Sequence, residues 1–284
     1  MANTSSPKLS VCLITYNHAR FIREALDSVL NQETEFAFEV CIGEDESSDG
    51  THEICREYAR NHPDKIRLFE RSRKDNIRVY GRPTGRFNFL ETLRECRGEY
   101  VAWLEGDDYW TDPHKLQKQV DYLDQNPDVP CCFHHSIRVD EHSHTTQSPE
   151  TLVLRQVTQT DFILGRREYV GTHATVFRNG GCRIWDQRWA KAVGSFDKFF
   201  KMYLIGDGAA VVLPEIMGAY REHPSGLYTS LRSLEKAYWG FRDQVWMLRI
   251  YGGRSWRSTW VISVNLVKAT LRFIIKRTLS LFGR

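Results

Sequence analysis

The sequence EYVAWLEGDDYW, residues 99–110, joins a short apolar run directly to a pair of carboxylates. An apolar run of this length suits a buried strand, which would end at Glu105. Asp107 and Asp108 follow that strand end, where adjacent carboxylates repel each other and raise one pKa unless a cation neutralises them. Oxygen ligands of this kind suit Mg²⁺ or Mn²⁺, which also bridge to diphosphates. The pattern predicts a metal site, with a solvated acidic turn before the helix at Pro113 as the alternative.

Strands and helices alternate on the amino-terminal side of this run. Apolar segments at residues 9–15 (LSVCLIT), 38–45 (FEVCIGED) and 66–70 (IRLFE) suit strands, and helical spacing occupies residues 19–32 and 51–61. Strands separated by helices of this length indicate βαβ units. We therefore predict an α/β fold with a mostly parallel central sheet flanked by helices.

Polar side chains stand at the ends of three of these strands. Tyr16, Asp45 and Asp107 each follow an apolar run. In parallel sheets, ligands bind beyond the carboxyl ends of the strands. The three side chains are therefore predicted to converge on one crevice, although Asp45 could instead cap the next helix and Tyr16 could pack in the core.

The alternation continues beyond the carboxylate pair. The pattern predicts two further helices and three further strands, at residues 114–126 and 195–208 (helices) and at 131–140, 171–179 and 209–223 (strands). Between them, residues 140–160 are polar and without period, and are predicted to form a surface loop. The basic run at residues 71–74 is also predicted to be a solvated loop, with a position near the phosphates of a ligand as the alternative.

Length, charge and cysteine content limit the class of protein. At 284 residues the chain suits one large domain with an extension, and we divide it into residues 1–230 and 231–284. The net charge of +3 does not favour nucleic-acid binding. Seven cysteines without a C-x-x-C pair favour a reducing compartment, and the polar start MANTSSPK shows no signal peptide, so we expect a cytoplasmic protein.

Three segments carry a resemblance to a known family: residues 10–17, the sequence GEDESSDGT, and the stretch Asn88–Asp121, which contains LEGDDYWTDPHKLQKQVD. Together they resemble the family 2 glycosyltransferases of the GT-A fold, and bacterial members that act in cell-surface polysaccharide assembly are similar in the last segment. The resemblance implies a GT-A-type nucleotide-sugar-binding domain. It also implies metal-dependent, inverting transfer of a sugar, from a UDP-sugar in particular, to a hydroxyl of a glycan or lipid-linked acceptor.

The resemblance also implies roles for individual residues. Thr15 and Tyr16 match the first-strand motif that contacts the nucleotide base, and Asp45 matches the carboxylate that binds the uracil imide. Asp107 corresponds to the residue near the ribose and the metal, and Asp108 to the metal-binding member. All five are therefore expected to lie in the donor site.

Other matches and departures extend this comparison. His223, in the sequence YREH, matches a histidine near the metal and diphosphate, and neutral imidazole is a ligand for Mn²⁺. Arg86 and Asn88 resemble a donor-side motif. Ile14 replaces a usual proline and Glu105 a frequent aspartate, but neither change removes an oxygen ligand.

Two carboxylates compete for the role of catalytic base. An inverting transferase needs a group that takes the proton of the acceptor hydroxyl. Asp197 is predicted at the start of a helix, and Asp207 lies between two glycines at the end of that helix. Relatives carry the base at the start of a helix that closes at a glycine with this spacing. The comparison favours Asp197, with a purely electrostatic role at the helix N-terminus as the alternative.

The carboxyl-terminal segment, residues 256–283, is basic and has apolar residues at helical spacing. Basic residues interrupt the apolar run too often for a typical membrane-spanning helix. A basic amphipathic helix suits peripheral contact with a membrane surface, and packing on the catalytic domain or in a homodimer is the alternative.

Two other functions compete with sugar transfer. A nucleotidyltransferase would share the sheet and an acidic metal site, but it would be expected to carry a glycine-rich, lysine-containing loop where residues 15–18 read TYNH. A catalytically silent module that binds sugar nucleotides or glycans would keep the donor site without a base.

Overall fold

The computed structural model describes residues 6–165, 170–180, 183–224, 226 and 231–282. Its α-helices are α1 (Ile22–Leu30), α2 (Thr51–Asn61), α3 (Arg86–Glu95), α4 (Lys115–Gln125), α5 (Gln159–Leu164), α6 (Phe196–Ile205), α7 (Ser233–Tyr251) and α8 (Trp256–Phe282). Its strands are β1 (Leu9–Thr15), β2 (Phe38–Glu44), β3 (Ile66–Glu70), β4 (Arg78–Val79), β5 (Arg82–Pro83), β6 (Tyr100–Glu105), β7 (Tyr109–Trp110), β8 (Cys131–Val139), β9 (Thr145–Gln147), β10 (Arg155–Val157), β11 (Val176–Arg178) and β12 (Ala210–Arg221). Cys182 and the last two residues of the predicted extension lie outside the described residues.

A single large sheet organises the described chain, in the order β10-β12-β8-β11-β6-β1-β2-β3. The long ladders, β1 with β2 and β6, β2 with β3, and β8 with β12, are parallel. Strand β11 is antiparallel to β6 and β8, and the short strands β7, β9 and β10 add antiparallel pairs. The predicted α/β fold with a central sheet flanked by helices is confirmed, and the sheet is mixed because short strands join the parallel ladders.

Alternation along the strands creates one apolar core on each face of the sheet. In β1, Leu9, Val11 and Leu13 point to the face covered by α1, α2 and α4. Cys12 points to the opposite face, which α3, α5 and α6 cover together with parts of α7 and α8. Because both faces are buried, β1 reads as a continuous apolar run rather than an alternating one.

The carboxyl ends of β1, β2 and β6 meet at one edge of the sheet. The Gly106 amide donates to the Ile14 carbonyl (2.9 Å), and the Asp45 amide donates to the Thr15 carbonyl (3.1 Å). A Cβ at Gly106 would lie 2.6 Å from Thr15 Oγ1, so only glycine allows the turn before Asp107 to approach β1 this closely. This close approach brings the three predicted polar side chains into one crevice.

The prediction of a loop over residues 140–160 is wrong in part. Strand β9 pairs with β8, strand β10 pairs with β12, and α5 begins at Gln159. Strands of three residues are too short to show a period, and the existing ladders beside them supply their partners. The strand predicted at residues 171–179 is also shorter, covering Val176–Arg178.

Candidate active site

Asp107 lies in the turn after β6 and faces two histidines. Its Oδ2 is 3.0 Å from His223 Nε2 and 3.7 Å from His18 Nε2. Its other oxygen, Oδ1, is buried and has no hydrogen-bond partner among the described residues. Burial would raise the pKa of Asp107, but His18 and the hydrogen bond with His223 outweigh burial and lower this pKa to about 2. The carboxylate is therefore ionised and has an oxygen available to a ligand.

Asp108 has different surroundings from its neighbour, because the protein itself uses both of its oxygens. Oδ1 accepts from the Arg221 amide (2.8 Å) and Oδ2 contacts His173 Nδ1 (3.0 Å). Burial lowers the pKa of His173 to about 3, so its ring is neutral. With Nδ1 protonated, the ring donates to Asp108 while Nε2 accepts from Ser136 Oγ (2.7 Å). Asp108 is thus held in a buried hydrogen-bond network.

Among the residues that the structure describes, two overlapping groups of side chains could hold a metal ion. One consists of His18, Asp107 and His223, and the other of Glu105, Asp107 and Asp108; in each group the ligand atoms lie within 4.8 Å of one another. The three predicted ligands, Asp107, Asp108 and His223, are therefore brought together, with Asp107 common to both groups. Sequence reasoning does not single out His18, although its position three residues beyond Thr15 at the end of β1 is a usable signal.

The predicted base-binding residues lie beside this cluster. Asp45 is fully buried; its Oδ2 accepts from Arg73 Nη1 (2.6 Å) and Asn76 Nδ2 (3.0 Å), and its Oδ1 has no partner among the described residues. The Arg73 guanidinium also lies over the Tyr16 ring, 3.5 Å from its centre. Thr15 is buried beneath, with Oγ1 3.3 Å from His18 Nδ1.

Two sequence expectations for this region are settled by these contacts. The basic run at residues 71–74 is not simply solvated, because Arg73 contacts both Asp45 and Tyr16. Asp49, rather than Asp45, stabilises the start of α2, since its Oδ1 accepts from the Thr51 amide (3.1 Å). Asp45 is thereby left without a capping role.

Asp197 and Asp207 lie at opposite ends of α6. Asp197 is in the first turn, 46% exposed, with its Oδ2 3.6 Å from Lys201 Nζ. The centre of the adjacent Phe196 ring lies 6.3 Å from that of Trp103 in β6, so the first turn of α6 packs beside the strand that leads to the carboxylate pair. Burial and the negative charges of Asp107, Asp108 and Asp197 raise the pKa of Glu105. Asp207 is 94% exposed and pairs with Arg254 Nη1 (2.8 Å). A ten-residue helix is about 15 Å long, so Asp207 is remote from the crevice.

Arg86 and Asn88, which resemble a donor-side motif, form hydrogen bonds with backbone carbonyls. Asn88 Nδ2 donates to the Gly43 carbonyl (2.7 Å), and Arg86 Nη2 donates to the Val193 carbonyl (2.8 Å). Both side chains are buried. They support β2 and the segment before α6.

Comparison with known proteins gives relatives in sequence and in structure. An uncharacterized protein of Mycobacterium tuberculosis is 36% identical over 234 residues, which is 82% of this chain and 64% of the relative. An uncharacterized glycosyltransferase of Nostoc sp. is 33% identical over 145 residues, 51% of this chain and 41% of the relative. The chain therefore spans less than two thirds of the length of these relatives.

Two solved glycosyltransferases share the fold. Staphylococcus aureus TarS 1–349 in complex with UDP-GlcNAc gives a TM-score of 0.63 at 18% identity, covering 93% of this chain and 72% of that one. The mannosyltransferase PcManGT of Pyrobaculum calidifontis, in complex with GDP-Man and Mn²⁺, gives a TM-score of 0.60 at 18% identity. The match covers 97% of this chain and 76% of the mannosyltransferase chain. At this identity the likeness concerns the fold alone, and the predicted GT-A-type architecture is confirmed.

A sequence model of one family matches more than half of the chain. The family is glycosyl transferase family 2, and the match covers residues 10–194, from β1 to the segment before α6. It includes the strand ends that carry Tyr16, Asp45 and Asp107. The chain belongs to glycosyl transferase family 2.

Proposed function

We propose that this protein transfers a sugar from a UDP-sugar to a hydroxyl acceptor, with inversion at the anomeric carbon and with a divalent cation. The observation that carries the proposal is the arrangement of carboxylates at one edge of the sheet. Asp45 and Asp107 each keep a buried oxygen without a partner among the described residues. Asp197 lies in the first turn of α6, and the neighbouring Phe196 packs against Trp103 of β6, the strand that leads to Asp107. We propose that Asp45 binds the nucleobase, that Asp107 binds the cation and that Asp197 accepts the proton.

The residues around Asp107 fit Mn²⁺ or Mg²⁺. The unpartnered Oδ1 of Asp107 and the nearby rings of His18 and His223 form a mixed oxygen and nitrogen donor set, which favours Mn²⁺ over Mg²⁺. A bound cation would neutralise charge on the departing diphosphate. Asp107 and His223 are the ligands we propose first. Asp108 has both oxygens occupied within the protein, so we propose that it supports this turn.

The pocket formed by Tyr16, Asp45 and Arg73 suits a uracil ring. The imide N–H of uracil is a donor, and Asp45 Oδ1 is an acceptor in need of one. Tyr16 is 37% exposed, so part of its ring is available for contact with a base. Thr15 anchors the same strand end. These contacts support a uridine donor over one with a cytosine base, in which the corresponding ring nitrogen is an acceptor.

Asp197 is the group we propose for proton transfer. The acceptor oxygen attacks the anomeric carbon from the face opposite the diphosphate, and its proton passes to the Asp197 carboxylate. The bond between the anomeric carbon and the diphosphate oxygen breaks, and its electron pair leaves with the nucleoside diphosphate. Asp197 is about half exposed, so it is accessible to an acceptor from solvent.

The decisive experiment is a screen of nucleotide sugars with the purified full chain and Mn²⁺, reading both donor binding and release of nucleoside diphosphate. General bases contribute roughly 10²–10⁴-fold to rate, so Asp197→Asn is expected to lose this factor while donor affinity is kept. Asp207→Asn is the matched control on the same helix and should transfer at the wild-type rate. Equal loss in both variants, or none in Asp197→Asn, would remove Asp197 as the base.

The same screen, with a parallel incubation that contains a nucleoside triphosphate and a sugar phosphate, separates the rival functions. A silent binding module would bind a donor and release no diphosphate under any condition. A nucleotidyltransferase would release pyrophosphate from a nucleoside triphosphate and a sugar phosphate.

For the acceptor we propose a glycan or lipid-linked hydroxyl at the cytoplasmic face of a membrane.

A further inference from the structure

The outer side of α8 carries an apolar stripe that no described residue covers. Trp256, Trp260, Val267, Leu271 and Ile274 recur at helical spacing, and each is more than half exposed. Steps of three, four and seven residues place them on one side of the helix. Exposed apolar side chains are common singly, but a continuous stripe of this kind marks an interaction surface.

The opposite side of α8 is already packed against the protein. Ile262 is fully buried in the core. The centre of the Phe273 ring lies 5.3 Å from that of Tyr238 and 6.0 Å from that of Phe241, both in α7. The helix thus runs back along α7 and has apolar residues on two sides. The outer stripe is not needed for folding contacts within the described chain.

The charges beside the stripe restrict what can cover it. Within α8 the ionisable side chains are all cationic: Arg257, Lys268, Arg272, Lys276 and Arg277. No acidic residue follows Asp243 in the sequence. A second copy of α8 would therefore bring cations against cations. An anionic lipid surface offers an apolar interior beneath negatively charged headgroups, which complements both features.

The helix fits the membrane surface better than the membrane interior. By length and composition, Trp256–Ser280 would suffice to cross a bilayer. Lys268 lies at its midpoint, where a charged side chain at the bilayer centre is costly, and α7 packs along its inner side. An interfacial helix avoids both problems, because its cations remain among the headgroups.

We propose that α8 docks this protein onto anionic lipid bilayers, with the stripe in the acyl boundary and the basic side chains at the headgroups. The proposal stands independently of the sugar-transfer chemistry, because it concerns only the surface of α8.

The test is co-sedimentation of the full chain with vesicles of phosphatidylcholine, with and without phosphatidylglycerol. Wild type should bind the phosphatidylglycerol vesicles more tightly, and added salt should weaken that binding. Leu271→Glu/Ile274→Glu should weaken binding at least about tenfold. The control is Leu154→Glu, which changes a residue exposed to a similar degree (58% against 54% for Leu271) and lying outside α8.

Charge variants and oligomeric state complete the test. Lys268→Gln/Arg272→Gln should remove most of the preference for phosphatidylglycerol. Circular dichroism should show folded protein for every variant. Absence of vesicle binding by wild type, or equal effects of Leu154→Glu and the stripe variant, would overturn the proposal. A dimer that only the stripe variant disrupts, without vesicle binding, would identify a second copy as the occupant and would also overturn it.

A different observation carries a second inference, concerning the turn before Asp197. Asp243 of α7 is buried, and its Oδ1 and Oδ2 accept from the amides of Gly194 (2.6 Å) and Ser195 (2.9 Å). On the other side of the turn, Arg86 donates to the Val193 carbonyl. The segment is therefore held through its amides and its carbonyl groups.

The carboxylate holds the backbone immediately before α6. Gly194 and Ser195 precede the first helical residue, Phe196, and the Ser195 side chain makes no capping hydrogen bond for the helix, so the contacts with Asp243 fix this turn from outside the helix. The charge of Asp243 is also favourable beside the positive end of the helix dipole. A Cβ at Gly194 would lie 3.0 Å from the Trp239 ring, so the turn and α7 are in close contact.

We infer that Asp243 is a positioning residue for Asp197, an inference that rests on the proposed base role of Asp197. The residue lies outside the segment that matches the family model, on a helix that follows it. By fixing the two amides before α6, Asp243 determines where the first turn of that helix presents the Asp197 carboxylate.

A double-mutant cycle tests this inference. In Asp243→Asn one oxygen becomes an amide group that faces a backbone N–H, so kcat should fall about tenfold or more with unchanged donor Kd. In the Asp197→Asn background the same change should alter the residual rate less than about twofold. Glu235→Gln, elsewhere on α7, is the control and should leave kcat unchanged.

The outcomes separate the inference from the function on which it rests. Equal losses in both backgrounds, or an unchanged kcat in Asp243→Asn, would overturn the positioning role. Full activity of Asp197→Asn would overturn the base assignment instead. If Asp243→Asn is unfolded at the assay temperature, Asp243→Glu, which keeps both oxygens, replaces it in the same cycle. Its effect on kcat should then be larger in the wild-type background than in the Asp197→Asn background.

Discussion

Asp107 and Asp108 are adjacent in the chain but have opposite relations to their surroundings. Asp107 keeps an oxygen without a partner among the described residues, and the histidines beside it lower its pKa. Asp108 uses both oxygens within the protein, and burial together with Asp107 raises its pKa. A pair that reads as one acidic motif therefore divides into a group open to a ligand and a group that maintains the structure.

Matched alanine variants should separate these two roles. Asp107→Ala is expected to weaken Mn²⁺ binding at least about tenfold, because it removes an ionised ligand. Because the contacts with His18 and His223 that lower the pKa of Asp107 are also lost, the variant should be less stable at neutral pH as well. Asp108→Ala leaves the Arg221 amide and the His173 N–H without acceptors, so the free energy of unfolding should fall by about 1–3 kcal/mol. Calorimetric Mn²⁺ titration and urea unfolding measure the two effects. A tenfold loss of Mn²⁺ affinity in Asp108→Ala but not in Asp107→Ala would instead make Asp108 the ligand and Asp107 the supporting residue.

Asp45 should determine the choice between uracil and cytosine. An ionised carboxylate accepts the uracil imide N–H, and hydrogen bonds to charged groups contribute about 1.5–3 kcal/mol, or roughly 10- to 150-fold in Kd. Asp45→Asn is therefore expected to weaken UDP binding by about this factor. Because its amide can donate to cytosine, CDP binding should weaken less or improve. Competition titrations with UDP and CDP check this, and an unchanged ratio would remove Asp45 from base recognition.

At the scale of elements, the length of an apolar run predicts the bounds of a strand better than the polarity of a segment predicts a loop. The predicted bounds of β1, α2 and β3 agree with the structure, because β1 and β3 are short apolar runs and α2 has its own helical spacing. Strands β9 and β10 are not predicted from the sequence because their extended conformation depends on pairing with other strands. Strand β9 pairs with β8 and strand β10 with β12. A short strand depends on its neighbours, so no local pattern announces it.

Two glycines should respond with opposite sign to alanine. At Gly106 a Cβ would lie 2.6 Å from Thr15 Oγ1 and 2.8 Å from Thr15 Cβ, so Gly106→Ala should destabilise the fold by about 1–3 kcal/mol. At Gly240, inside α7, no atom beyond its two chain neighbours and the adjacent helix backbone lies within 4 Å of the position that a Cβ would take. Gly240→Ala should therefore stabilise the protein by about 0.5–1 kcal/mol. Thermal unfolding of both variants provides the measurement, and each serves as the control for the other.

At the scale of the whole molecule, the carboxyl-terminal helices contribute to the central core. Met247, Tyr251 and Ile262 are buried in the same cluster as Phe196 and Phe200 of α6. The division into residues 1–230 and 231–284 therefore remains a proposal about architecture. It does not imply that the first part folds independently.

Truncation tests that distinction. A chain of residues 1–230 would expose the surfaces that Met247, Tyr251 and Ile262 cover, and would lose Asp243 beside α6. We expect it to unfold at a Tm lower than that of the full chain by at least about 10 °C, since each lost core side chain contributes several kcal/mol. A cooperative transition at the Tm of the full chain would contradict this expectation and support two independent domains.

The candidate site is predictable where one strand end supplies a residue and unpredictable where folding brings distant segments together. Tyr16, Asp45 and Asp107 follow apolar runs, so their convergence follows from the parallel ladders. Arg73 belongs to a run whose local pattern indicates a solvated loop, because its partner lies 28 residues earlier. The His173 contact with Asp108 spans 65 residues and has no local signal.

The position of His223 at the end of β12 has a consequence for the order in which the site forms during synthesis. Asp107 and His18 leave the ribosome early, whereas β12 pairs with β8 only after residue 221 has been made. At 5–20 residues per second, the interval between Asp107 and His223 is roughly 6–23 seconds. A nascent chain that has not reached His223 therefore holds only part of the proposed ligand set, and its affinity for Mn²⁺ should rise only after β12 and His223 have been made. Binding of the proposed cation thus depends on a residue synthesised 116 positions after Asp107.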